Sequence, residues 1–183
     1  SPSRVYEKLD SQLGMTPREY RAFGKGVEIS YAECETNFGR ILLAASDRGI
    51  CFLQFAESSE KLLALLEGEF PSASLQKMYD TQSDTFAEWM KQVNGYLDGQ
   101  DTLHDLPLDI RGGVLQLKVW KYLQSIPRGE TRSYSEVAAA IGHPNAARAV
   151  ASACAKNRIA LLIPCHRVLR GSGELAGYRW GLE

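Results

Sequence analysis

Between Gly26 and Ala56 the apolar residues fall into three short runs, VEISYAEC, GRILLAAS and GICFLQF, separated by TNFG and SDRG. Runs of this length, rich in Ile, Phe and Tyr and broken at Asn, Asp and Gly, predict strands joined as an antiparallel meander. The spacing then changes. Leucines at 62, 63, 65 and 66 in ESSEKLLALLEGEF predict a helix, and FPSASLQKMY holds a candidate further strand. Phe86, Met90, Val93 and Tyr96 mark one face of a second helix in DTFAEWMKQVNGYL. The polar, Gly- and Pro-bearing DGQDTLHDLPLDIRGG reads as a linker.

After Gly113 the helical period dominates. VLQLKVWKYLQSI carries Val119, Trp120 and Leu123 on one stripe and stops at Pro127. SYSEVAAAIG opens with a capping box, Ser133 with Glu136, and closes at Gly142; PNAARAVASACAKN restarts at Pro144. Helix, tight turn, helix is the arrangement by which DNA-binding modules offer a second helix to a groove. Before Gly26, Val5, Leu9 and Leu13 form a short stripe ended by Gly14, and TPRE starts a second helix with Thr16, Pro17 and Glu19. Two short helices bury no core of their own, so further chain upstream is expected. No internal repeat or low-complexity stretch occurs.

The helix after Pro144 is built almost entirely of tiny residues, NAARAVASACA, with Arg148 its one long side chain. Alanines cannot hydrogen-bond base edges in a major groove. They do allow close approach to a narrow groove, where Arg148 could fill the space of a displaced base. The other reading is a good helix former packed on its neighbours. Both stay open on the sequence.

Charge bears on that choice. The net charge is −1, but residues 25–112 carry seven basic and fifteen acidic side chains, whereas 113–183 carry ten and four, an excess of six. Such an excess is what a phosphate backbone attracts, and equally what a solvated basic face looks like. With 44% hydrophobic residues the chain can pack one or two domains. No apolar run approaches the roughly 18 residues of a membrane span. The opening SPSRVYEKLD has no leader-type apolar segment and no starting Met, which is expected of a piece cut from a longer chain. Cys34, Cys51, Cys154 and Cys165 are widely spaced and form no zinc pattern with His104, His143 and His166. Free thiols in a reducing cytoplasm, with no metal, are expected.

The remaining chemistry sits in LLIPCHRVLRG. Pro164 ends the apolar run, His166 is a candidate base for the Cys165 thiol, and Arg167 adds positive charge that favours thiolate. Neighbours on an extended segment point to opposite sides, so a Cys-His pair is also compatible with a cysteine buried at a strand end.

Ile163-Pro164-Cys165-His166-Arg167-Val168 resembles the active-site signature of the O6-alkylguanine-DNA alkyltransferases. VWKYLQSIPRGETRSYSEVAAAIG resembles the first two helices of that family's C-terminal domain, and AARAVASACAKN its recognition helix and hinge. The likeness continues through GELAGYRWG and spans roughly residues 26–183, while GMTPREYR and the residues before it resemble the last helices of an AraC-type DNA-binding domain. That junction is similar to the Ada-like members of the family.

The resemblance implies an α+β chain: an incomplete AraC-type tail over 1–24, a ribonuclease H-like subdomain with a small mixed or antiparallel sheet over 25–108, and a mostly helical winged helix-turn-helix domain over 109–183. It implies a cofactor-free monomer acting on double-stranded DNA that contains O6-alkylguanine or O4-alkylthymine. The damaged nucleotide is turned out through the minor groove, and its alkyl group passes once, irreversibly, to Cys165. His166 then matches the group that deprotonates the thiol through water, Asn157 the hinge, and Tyr134 the donor to guanine N3. Arg148 matches the arginine that replaces the flipped base, on a helix whose Ala147, Ala149 and Ser152 meet the groove. Val168 offers a backbone carbonyl to the guanine amino group, and Tyr178 and Arg179 lie in the loop covering the base. A longer Ada-like protein also regulates transcription.

This chain departs from the pattern twice. The hinge, usually Asn-Pro, is Asn157-Arg158, and the relay glutamate of a last helix has no counterpart, since Glu183 stands only eighteen residues after Cys165. Weaker transfer or lower stability than in a chain extended by that helix is expected. Loss of transfer altogether would leave a non-enzymatic binder of alkylated DNA. A regulatory module and a cysteine hydrolase are the other readings, the last without a motif for an oxyanion hole.

Overall fold

The computed structural model describes residues 25–78, 84–100, 103 and 106–171. The helices expected over 1–24, together with Tyr178, Arg179 and Glu183, lie outside the described residues. The chain divides into two compact units that meet in sequence between Arg111 and Gly112.

In the first unit, β1 (Glu28–Thr36), β2 (Gly39–Ser46) and β3 (Gly49–Ala56) form the expected meander, with Ala32 opposite Leu43 and Leu43 opposite Leu53. Ser58 caps α1 (Ser59–Glu69) by accepting the Lys61 N–H at 3.2 Å. The chain then crosses back to β4 (Ser74–Lys77), which pairs parallel to β1, and continues into α2 (Asp84–Leu97). The sheet order is therefore β3-β2-β1-β4, a mixed sheet. Leu62, Leu66 and Phe70 pack with Ile29, Leu42, Ala44 and Phe52 to make its core.

Part of the expected linker belongs to this sheet. The Ile50 N–H donates to the Pro107 carbonyl and the Asp109 N–H to the Ile50 carbonyl, both at 2.8 Å, so residues 107–109 run along the free edge of β3. Gly49 makes the approach possible. Its φ is +149°, and a Cβ there would stand 2.5 Å from the Pro107 oxygen. Buried Asp109 accepts from Ser46 Oγ at 2.5 Å, and the Arg111 guanidinium lies 3.9 Å from the centre of the Phe70 ring. Burial, with the Asp109 charge behind it, pushes the Cys51 thiol up to about 12.

The second unit begins with α3 (Val114–Gln124), which buries Val119, Trp120 and Leu123 as expected. β5 (Arg132–Ser133) leads into α4 (Tyr134–Ala140). The capping box is formed: Ser133 Oγ accepts the Glu136 N–H at 3.1 Å, and Glu136 accepts the Ser133 N–H at 2.6 Å. At the other end, His143 N–H donates to Ala138 O and Gly142 N–H to Ala139 O, with Gly142 at φ +81°, a Schellman close. Against the expectation from Pro144, α5 begins only at Ala147 (Ala147–Ala155). The Ala146 N–H donates to the His143 carbonyl at 2.9 Å, so Pro144 and Asn145 are spent on a turn. A 3₁₀ turn (Cys165–Arg167) and β6 (Val168–Leu169) follow, and β6 pairs parallel to β5.

Candidate active site

The site is assembled where α5 ends. Lys156 N–H still donates to Ser152 O at 3.1 Å, but Asn157 N–H turns to Cys154 O at 3.2 Å and the helix stops. Asn157 is completely buried. Its Nδ2 donates to the Ile163 carbonyl at 2.8 Å and lies 3.3 Å from Cys165 Sγ, while its Oδ1 accepts the Ile159 N–H at 2.9 Å. Only a primary amide can serve a carbonyl, a sulfur and an N–H together from one side chain.

That clasp overturns the strand expected before Cys165. Residues 160–163 form turns, with Leu162 N–H on Ala160 O and Ile163 N–H on Ile159 O, because Asn157 satisfies the backbone that a neighbouring strand would otherwise pair. Leu161 adopts φ +66°, alone among the non-glycine described residues in having a positive φ. For a side chain of that size the conformation costs roughly 1–2 kcal/mol, which the clasp must hold against. Cys165 and His166 are therefore not alternate residues of an extended chain, as the sequence suggested, but share one 3₁₀ turn.

Cys165 is buried, and burial raises its thiol above the ordinary range. The Asn157 amide and the backbone N–H groups of Cys165 and His166 pull the other way. Burial, followed by the Arg167 charge, lowers His166, which keeps its imidazole neutral and able to take a proton. Arg167 has a backbone acceptor far from it in sequence. Its Nη1 donates to the Ile126 carbonyl, just past α3, at 2.5 Å, a backbone oxygen that gives the guanidinium a fixed acceptor.

The β5–β6 pairing brings a further group in. It sets Arg132 opposite Val168 and Ser133 opposite Leu169, so Tyr134, the residue after β5, emerges beside the turn that precedes β6. Burial raises the Tyr134 phenol, and Cys154 and Cys165 add to the shift, which requires both sulfurs within electrostatic range. Val168 is buried, and its N–H donates to the Cys165 carbonyl. Cys165, Asn157, Tyr134, His166 and Val168 thus gather in one neighbourhood.

The small-residue helix packs on its neighbours along one face, the second of its two readings, and leaves another face open. Val150, Ala153 and Cys154 are buried on one face, while Arg148 and Ser152 are exposed on another, with Ala147 and Ala149 partly covered. Two participants had gone unassigned. Cys154 borders the site, its thiol pushed up to about 12 by burial and by Cys165. Trp120 donates its indole N–H to the Ala153 carbonyl at 2.9 Å. A buried tryptophan needs an acceptor, which is the signal that was available for it. Among the described residues no group of His, Cys, Asp or Glu could hold a metal ion. No helix of the described residues is long and apolar enough to cross a membrane.

Fold and site together define an α+β protein whose helical unit carries a buried, amide-held cysteine beneath a smooth, arginine-bearing helix. The chain belongs to the 6-O-methylguanine DNA methyltransferase family: that family's ribonuclease-like domain matches residues 29–110 and its DNA binding domain residues 114–183. The methylated-DNA–protein-cysteine methyltransferase of Mycolicibacterium paratuberculosis is 51% identical over 155 residues, 85% of this chain and 87% of its own length. The bifunctional transcriptional activator/DNA repair enzyme Ada of Escherichia coli K12 is 45% identical over 182 residues, 99% of this chain and 50% of its own length. The chain thus spans about half the length of the Ada relatives it matches. The crystal structure of Mycobacterium tuberculosis OGT in complex with DNA is similar with a TM-score of 0.65 and 36% identity, covering 81% of this chain and 83% of that one.

Proposed function

We propose that this chain repairs DNA by direct reversal, moving the alkyl group of O6-alkylguanine, or of O4-alkylthymine, from duplex DNA to Cys165. The observation that carries the reading is the Asn157 amide on Cys165 Sγ. A buried thiol with a donor aimed at its sulfur is prepared to become a thiolate when a base approaches, and a core cysteine has no use for one.

The thiol gives its proton to neutral His166, directly or through water, and Sγ attacks the alkyl carbon. The carbon–O6 bond breaks and its electron pair stays on the purine. Tyr134 stabilises that charge at N3, and the proton the base gains balances the one the thiol lost. The Val168 carbonyl receives the guanine amino group. Arg148 occupies the gap left in the stack, while Ala147, Ala149 and Ser152 let α5 lie close in the minor groove. Tyr178 and Arg179 are assigned to the covering loop. A thioether has no hydrolytic exit, so each chain acts once.

In finer terms, residues 25–108 read as a ribonuclease H-like subdomain and 109–183 as a winged helix-turn-helix domain, with 1–24 the tail of an AraC-type module. A cytoplasmic monomer without cofactor follows from the same reading. The name of the Escherichia coli relative joins repair to activation of transcription. A regulatory role for a longer protein carrying this chain is part of the proposal. The test is stoichiometry on duplex DNA holding one O6-methylguanine: guanine restored should plateau at one mole per mole of chain, and continued turnover or no restoration would contradict it.

A further inference from the structure

Trp120 takes over a bond that the site gives away. In an uninterrupted helix the Ala153 carbonyl would receive the N–H of residue 157. Asn157 instead sends its N–H to Cys154 O, which frees its side chain to reach back to Ile163 and Cys165. The Ala153 carbonyl, with its residue 1% exposed, is left for the Trp120 indole at 2.9 Å. The indole is itself fixed from behind. A Cβ on Gly112 would lie 2.7 Å from Trp120 Cζ3 and 3.0 Å from Cη2, so the ring keeps its position only because residue 112 has no side chain. Past the same helix, the Ile126 carbonyl holds Arg167 of the acceptor turn. The α3 region therefore fastens the chain on both sides of the Asn157 clasp.

We propose that Trp120 is a positioning residue for the acceptor thiol, its indole N–H fixing the end of α5 so that the Asn157 amide stays on Cys165 Sγ. The inference rests on Cys165 being the alkyl acceptor and assigns Trp120 no contact with the base. The Trp120→Phe variant of the whole chain keeps an aromatic ring and removes the donor. Three quantities are read: the single-turnover transfer rate, affinity for undamaged duplex, and the pH profile of Cys165 alkylation by iodoacetamide, followed on the Cys165 peptide.

Trp120→Phe should slow transfer by roughly tenfold, the factor associated with losing one buried hydrogen bond. Duplex affinity should stay within about twofold, because the groove-facing side chains are intact. The alkylation midpoint should move to higher pH. Leu66→Ala, destabilising the other unit, should leave that midpoint where it is. A folded Trp120→Phe chain with wild-type transfer rate and wild-type midpoint would overturn the proposal. Should Trp120→Phe not fold, Gly112→Ala displaces the ring with the indole retained, and an unshifted midpoint there is equally fatal. The iodoacetamide profile needs no DNA, so a wild-type chain that accepts no methyl group would sink the functional reading while leaving the role of Trp120 to be judged by itself.

Discussion

Replacing Asn157 by Ala removes three interactions from a place no water reaches. The Ile163 carbonyl and the Ile159 N–H are left buried without the amide that served them. Each such group costs roughly 1–3 kcal/mol, and because both depend on one side chain the costs do not simply add, so about 3 kcal/mol is expected. Strain at Leu161, held in place by the same clasp, releases part of the turn rather than restoring it. For a chain of this size about 3 kcal/mol corresponds to a fall of roughly 6–12 °C in Tm. The sulfur loses its side-chain donor as well, so the Cys165 thiol rises further and alkylation by iodoacetamide shifts to higher pH. Asn157→Asp separates the two effects. Its carboxylate still accepts from Ile159, but it cannot donate to Ile163 and sets a negative charge beside the sulfur, so its thiol shift should exceed that of Asn157→Ala. Thermal unfolding and the pH profile of the Cys165 peptide read the two consequences. A Tm within about 2 °C of wild type, or an unmoved alkylation profile, would refute the assignment of Asn157 as the clasp.

Two further outcomes follow from local geometry. Ser133→Ala removes the acceptor for the Glu136 N–H at the start of α4 and should cost about 1 kcal/mol in urea unfolding, slowing transfer as Tyr134 loosens; unchanged stability would contradict the cap. Cys51 makes the first unit sensitive to alkali. Its folded value of about 12 lies above the ordinary 9.0, so its contribution is complete below pH 9 and disappears as pH rises through about 12. The urea midpoint of wild type should therefore fall more steeply above pH 9 than that of Cys51→Ala, and parallel profiles would contradict the burial of the thiol.

Local signals made much of the fold legible. The Asn- and Gly-bearing turns delimit β1 to β3, and Ser133 with Glu136 marks the start of α4, because such features depend on residues a few positions apart. What escaped is what distant residues decide. Ser74–Lys77 is marked as a strand by its neighbours, yet its parallel pairing with β1 depends on where α1 returns the chain. Residues 107–109 look like a linker because their pairing depends on the free edge of β3 and on the bare Cα of Gly49. LLIPC has the composition of a buried strand, and a single amide at Asn157 makes it a set of turns. Arg167 stands two residues from the thiol in sequence, and its bond to the Ile126 carbonyl, 41 positions away, has no local signal. The thiol itself was visible through a motif whose meaning came from family likeness; the bond from Asn157 to its sulfur is what the structure adds.

The central claim is that the sulfur of Cys165 becomes a thioether. The most direct measurement is the mass of the peptide carrying Cys165 after incubation of the chain with duplex DNA containing O6-methylguanine, beside Cys165→Ser. Addition of one methyl group to that peptide in the wild-type chain, absent from the serine variant and from peptides carrying Cys34, Cys51 and Cys154, is the predicted result. An unmodified Cys165 after the lesion has been bound, or a methyl group found on another cysteine, would contradict it.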